Sequence, residues 1–255
     1  MAEKINIEEV YKKELMWSEP IVYKEITLYP IKCKDLVEFY SSVQALLYDP
    51  LRYPGRVSTL PRLYFLTDFM NHRDDKQYIQ QNMMLYMLFV QLNILLGLVI
   101  GEQKCVFMNN NNHWYLQFTN LDGKEINVKI NDFEEIRKII LHQNGVDYDD
   151  TFIHEDIRQW IAKQEEKENK TPATLEDYLD AFMLATQMTD MEKIKEIPIR
   201  RFNRIVEKTI SRESYTIQMT ASMSGFVTFK GEISHWLHTE KKNSIFEKYF
   251  KEMKS

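Results

Sequence analysis

The chain has 255 residues, a formal charge of -5, 44% apolar and 28% charged residues, and only 7 Gly and 7 Pro against 14 Tyr, 14 Phe and 13 Met. This balance is globular, which argues against a disordered chain, and the net acidity argues against nucleic acid as a partner, since that binding draws on clustered Lys and Arg. Few turn formers and much bulky apolar material favour an α+β, mainly α-helical fold, a helical bundle carrying a small antiparallel β-meander.

Residues 7–17 suit a short leading helix, which Ser18-Glu19-Pro20 breaks. Residues 21–31 alternate and are rich in β-branched and aromatic side chains, so the pattern predicts a strand ending at Pro30. From Lys34 the period changes to that of a helix with Leu36, Tyr40, Val43 and Leu47 on one face, stopped by Asp49-Pro50. Residues 49–62, with three prolines and Gly55, read as an irregular connection, followed by a helix over residues 60–70.

Residues 83–100 are apolar over nearly the length of a membrane span. Gln91, Asn93 and Gly97 interrupt them and no Lys or Arg cluster flanks them, so the expectation is a helix buried in a soluble core and no membrane association. Three short strands follow, residues 104–108, 113–119 and 124–130, joined by Asn109–Asn112 and by Asn120-Leu121-Asp122-Gly123, compositions that suit hairpin turns. Asn131 with Glu134 resembles a capping box for a helix that buries Phe133, Ile136 and Ile140 and closes at Asn144-Gly145.

Ile153, Ile157, Trp160 and Ile161 suit an amphipathic helix that fades into a charged run over residues 163–170. The expected organisation is therefore residues 1–145 as an N-terminal α+β region with strand, buried helix and meander, and residues 146–255 as a helical C-terminal region. Thr174 with Asp177 can cap a helix whose Leu175, Tyr178, Leu179, Phe182 and Thr186 share a face. Pro198 suits the first turn of a long helix presenting Ile199, Phe202, Ile205, Val206 and Ile210 inward. Phe226–Phe229 suggests a short extended piece, and Ser244 with Glu247 opens a final helix striped by Phe246, Tyr249, Phe250 and Met253.

Sites for chemistry are sparse. Cys33 and Cys105 form no CxxC pair, which favours free buried thiols over a disulfide framework or a four-ligand zinc site. The N-terminus lacks the basic start and apolar run of a secretory signal, so export is not expected. Glu232, His235 and His238 fit one helical face and could ligate a metal, but no HExxH is present and surface or partly packed histidines are the simpler reading, so no metal and no cofactor are expected. Asp147-Tyr148-Asp149-Asp150 lacks the glycine and terminal glutamate of a calcium loop. With no phosphate loop, no dinucleotide fingerprint and no nucleophile elbow, an enzyme is not expected. Arg200, Arg201, Arg204, Lys208 and Arg212 recur opposite the apolar stripe of their helix; they form either a solvated face balanced by Glu207 and Glu213 or a surface for an acidic partner.

Residues 23–36, YKEITLYPIKCKDL, resemble the opening of tail assembly chaperone-like proteins of tailed bacteriophages. Residues 197–202, IPIRRF, with ASMSGFVTFK at 221–230 and His235-Trp236, are similar to the carboxy-terminal part of phage proteins of that kind, and DFEEIR at 132–137 through Asn144 also fits. The resemblance implies a morphogenesis protein of the host cytoplasm that coats the tape-measure protein until tail tube subunits displace it. The chain is longer than many simple tail chaperones, which leaves open a structural component of the tail or baseplate, retained in the virion. Lys241-Lys242-Asn243 could be written as a slippery run for a frameshifted extension, although a plain lysine-rich connection is the reading the sequence favours.

Overall fold

Tyr23 and Ile26 stand opposite each other at the end of a hairpin whose two turn residues, Lys24 and Glu25, both have positive φ, 47° and 69°. The computed structural model of the protein, which describes residues 6–111, 113–148, 173–224 and 233–237, therefore splits the single strand expected over residues 21–31 into β1 (Ile21–Tyr23) and β2 (Ile26–Leu28). Asn and Gly usually fill such turns, and Lys-Glu does not announce one. The hairpin is held by its surroundings: Asp132 accepts from Lys24 Nζ at 2.6 Å and from the Tyr23 hydroxyl at 3.2 Å.

The fold is α+β and mainly helical, with this two-stranded sheet and a separate three-stranded antiparallel sheet. Two compact units are present, Met1–Tyr148 with Asp190–Asn203, and Asp149–Thr189 with Arg204–Ser255.

In the first unit, α1 (Ile7–Val10) and α2 (Lys12–Trp17) precede the hairpin. After it come a 3-10 turn at Cys33–Asp35, α3 (Leu36–Ser42) and α4 (Gln44–Leu47). The buried positions there are Phe39, Val43, Ala45 and Leu46, so the core stripe is turned from the expected Leu36, Tyr40, Val43 and Leu47; of those only Val43 is fully buried. The helix also breaks at Val43. Two 3-10 turns carry the proline-rich connection to α5 (Arg62–Thr67), which tightens into a further 3-10 turn at Asp68–His72, and α6 (Lys76–Gln81) follows, unanticipated by the sequence reading.

The long apolar helix α7 spans Met83–Ile100, and its core-facing side carries Leu85, Leu88, Leu92, Leu95, Leu96 and Val99. Gly101, at φ 60°, turns the chain into the meander of β3 (Lys104–Asn110), β4 (His113–Thr119) and β5 (Glu125–Val128). A Cβ at Gly101 would lie 2.9 Å from Tyr29 Cε2, so both the backbone conformation and the close ring require glycine. Phe107 faces Leu116 and Phe118 faces Ile126 in the ladder, and this side of the sheet packs inward with Phe89 of α7 at 5.0 Å from Phe107.

Helix α8 (Ile130–Gln143) buries Phe133, Ile136 and Ile140 as expected, together with Arg137, which is 2% exposed. Its start is set two residues earlier than the Asn131–Glu134 reading: Asp132 accepts from the Lys129 backbone N–H at 3.2 Å. At its other end Gln143 donates to the Leu28 carbonyl at 3.0 Å and Asn144 accepts from the Ile31 N–H at 2.9 Å, which ties the hairpin strand to the helix. Residues 190–203 return to this unit because Ile31 and Cys33 exchange backbone hydrogen bonds with Ile199 and Ile197 at 2.9 and 2.8 Å.

In the second unit, α9 (Leu175–Thr186) begins with the expected box: Thr174 Oγ1 accepts from the Asp177 N–H at 3.1 Å, and the Asp177 carboxylate accepts from the Thr174 N–H at 2.7 Å. Of its expected face only Phe182 is fully buried. The short α10 (Met191–Lys195), in the first unit, precedes α11 (Ile199–Met223), which starts after Pro198 and belongs to the first unit up to Asn203 and to the second from Arg204. Ile199, Phe202 and Val206 are buried on α11, whereas Ile210 is 55% exposed; the inward stripe stops short of it. The helix read at residues 153–161, the charged run at 163–170, the extended piece at 226–229 and the final helix with its Phe246, Tyr249, Phe250 and Met253 stripe lie outside the described residues.

Candidate functional site

A helix that is apolar on every side can be buried on every side; α7 is not. Its core-facing side is filled by leucines, and the opposite side leaves Met83, Met84, Met87 and Ile94 exposed, Met87 by 51%. No charged residue interrupts residues 83–100, so this helix is long and apolar enough to cross a membrane by length and composition. Asn93 and Gly97, two of the interruptions visible in the sequence, fall on the exposed side. That placement was the available signal that one face stays open, and the expectation of a fully buried helix missed it. Unbranched methionine side chains on a rigid helix make an adaptable apolar surface able to pack against differing partners.

The basic residues singled out in the sequence all lie on α11, where their spacing places them within about a third of the helix circumference. Arg201, Arg204 and Arg212 are exposed. Arg200 is half-buried: Nη1 donates to the His142 carbonyl, and its Cγ would lie 3.3 Å from a Cβ at Gly145, so the stem of this side chain is packed against the end of α8. Lys208 donates from Nζ to the Trp236 carbonyl at 3.4 Å. Two members of the ridge are thus engaged within the protein and three face outward.

Several titratable groups depart from their ordinary values, and the causes lie in the packing of the fold. Burial, then the neighbouring Asp132 carboxylate, pushes the Tyr23 hydroxyl up to about 12. For Asp132 burial acts to raise the carboxyl, but hydrogen bonds from Lys24 and the Lys129 N–H outweigh it and hold the group below the usual carboxylate range. Burial alone pushes the Cys33 and Cys105 thiols up to about 12, which removes their nucleophilic form at neutral pH. Burial also lowers His142, against the opposing pull of Glu8.

Among the described residues no group of three or more His, Cys, Asp or Glu is placed to hold a metal. Of Glu232, His235 and His238 only His235 is described, its ring 5.1 Å from that of Tyr215; of the acidic run at 147–150, Asp149 and Asp150 lie outside the described residues. A groove of about 450 Å3 runs past Tyr64, Asn110, Tyr115, Asn127 and Lys129, walls that offer two amides, two phenols and one amine and no carboxylate.

No curated protein and no solved structure matches the chain. Residues 163–241, which include α9, α10 and α11, match the family of the YomV second domain. YomV is a Bacillus phage protein, so this portion of the chain is similar to a domain of a phage protein.

Proposed function

We propose that this chain is a phage tail morphogenesis protein that acts as an assembly chaperone, binding the tape-measure protein and holding it soluble in the host cytoplasm until tube subunits displace it. The observation that carries the reading is the open, uncharged face of α7, with Met83, Met84, Met87 and Ile94 exposed, on a chain whose residues 163–241 are similar to a domain of a phage protein. A long, helical, apolar partner needs a surface that receives the buried side of an amphipathic helix without demanding one sequence, and exposed methionines on a firmly anchored helix meet that need. The outward arginines Arg201, Arg204 and Arg212 add a place for acidic residues of the same partner.

Co-expression with the tape-measure protein of the same genome tests the reading. The partner is expected in the soluble fraction and in a complex with this chain, and Met87→Glu with Ile94→Glu is expected to abolish both while leaving the circular dichroism spectrum unchanged. A tape-measure protein that stays insoluble and does not co-purify overturns it. Mass spectrometry of purified virions separates a chaperone, absent from the particle, from a structural tail or baseplate component, present in fixed stoichiometry.

A further inference from the structure

The methionines on the open side of α7 carry a second chemistry: we propose that Met83, Met84 and Met87 form a reversible oxidation site, at which a peroxide converts the thioethers to sulfoxides and turns an apolar face into a polar one. The three residues are 49%, 44% and 51% exposed, and their spacing puts them within about 100° of the helix circumference. Among the described residues the other well-exposed methionines, Met16, Met108, Met191 and Met223, stand one to an element. Oxidation there alters single positions, whereas on α7 it alters a continuous surface.

The thioether sulfur attacks one oxygen of the peroxide. The S–O bond forms as the O–O bond breaks, sulfur gives up an electron pair to the peroxide, and the departing hydroxide takes the remaining proton and leaves as water. A thioether has no proton to lose first, so the step proceeds at neutral pH, whereas thiols react only as thiolates. Burial pushes the Cys33 and Cys105 thiols up, which leaves the exposed methionines as the reactive sulfurs. No charged side chain lies between Met83 and Ile100, so the character of the open face rests on its apolar side chains, to which these three methionines contribute beside Tyr86 and Ile94. Each sulfoxide adds a strongly dipolar oxygen that must be stripped of water when an apolar surface docks on it. The fold is spared, because Leu85, Leu88, Leu92, Leu95, Leu96 and Val99 hold the helix from its other side. Reduction of the sulfoxide returns the thioether, so the face is closed and reopened without unfolding. That oxidation thereby releases a tape-measure protein rests on the chaperone reading above; the change in the face itself does not.

Hydrogen peroxide treatment of the full chain tests the proposal, with peptide mapping by mass spectrometry to locate the oxygen and the apolar dye anilinonaphthalene sulfonate to read the face. Each of Met83, Met84 and Met87 is expected to gain one oxygen, with loss of most of the dye fluorescence and an unchanged circular dichroism spectrum. Met83→Leu with Met84→Leu and Met87→Leu is expected to bind the dye equally before and after peroxide. Methionine sulfoxide reductases acting on the oxidised wild type are expected to restore the fluorescence. An untreated chain that binds no dye, oxidation that spares these residues or leaves the fluorescence in place, equal loss in the leucine variant, or no recovery on reduction overturns the proposal. Should the leucine variant lose its fold, the wild type decides alone: fluorescence must fall in step with oxygen gained at these three positions and return with its removal, and a fall that tracks other methionines overturns the site. Capture of the tape-measure protein is read separately. An untreated chain that captures none overturns the chaperone reading, and the dye still judges the oxidation site; capture that persists on the fully oxidised chain overturns the oxidation site.

Discussion

Asp132 is a small residue with a large structural reach, since its carboxylate joins Lys24, Tyr23 and the start of α8. Its folded-state pKa lies below the ordinary 3.8, so the stability it contributes is complete above that value and is lost as pH falls through the depressed one. Asp132→Ala is expected to cost about 1–3 kcal/mol at neutral pH, the scale for orphaned partners of a part-buried acceptor. In an acid titration of urea unfolding the variant should lose less stability than the wild type below the ordinary carboxylate value. The thiols give a second test at this scale. With both pushed up to about 12 by burial, Cys33 and Cys105 are expected to resist iodoacetamide at pH 8 in the folded chain and both to react in denaturant, counted by intact mass. Sequence foresaw that both thiols are free, because the absence of a second nearby cysteine is a local fact; the expectation that they are buried is met only in part, since both are partly buried. It could not foresee the reach of Asp132, two of whose partners, Tyr23 and Lys24, stand more than a hundred residues away along the chain.

Elements differ in how far their own residues define them. Helix α7 was legible to the residue at both ends, since an uninterrupted apolar run bounded by Asn82 and Gly101 leaves little choice; which of its sides would be covered depends on neighbours and was not. The Thr174–Asp177 box was legible for the same local reason, whereas the β1–β2 turn was not, because Lys24 and Glu25 enter the left-handed region under tertiary constraint. Helix α4 shows the constraint most plainly. Its last carbonyls are met from outside: Arg137 Nε donates to Leu46 O at 2.7 Å and Arg62 donates to Tyr48 O, with Glu134 3.4 Å from Arg62 and 3.5 Å from Arg137. Removing one member of a buried charged set leaves the others uncompensated, so Arg137→Ala is expected to cost about 3–5 kcal/mol in denaturant unfolding, and Arg137→Lys, which keeps the charge but not the planar fork, to recover only part of it. At the α7–β3 corner, Gly101→Ala meets both a positive φ and the Tyr29 ring, and a loss of about 1–3 kcal/mol is expected by the same measurement.

At the scale of the whole molecule the sequence supplied the class and withheld the surfaces. The α+β, mainly helical character follows from composition and from periods of 3.6 and 2, both properties of the chain read locally. The open face of α7 and the return of residues 190–203 are products of which elements meet, and an apolar residue at an interface reads the same as one in a core. The basic ridge stands between these cases: its helical spacing was legible, but not that Arg200 and Lys208 are engaged within the protein. Arg201→Glu with Arg204→Glu is expected to weaken capture of the proposed partner at least tenfold in a pull-down titration with circular dichroism unchanged, and binding that is untouched would assign these residues to a solvated face.

The Gln103 side chain, just beyond α7, accepts from the Thr27 N–H at 3.1 Å and donates to the Thr27 carbonyl and to the Ile100 carbonyl. A single amide thereby imitates one residue of a neighbouring strand, and β2 is secured to the end of the long helix without any further chain being spent. Loosening of the hairpin and fraying of that helix end are consequently linked, so ligands that stiffen α7 should also quiet the β1–β2 hairpin.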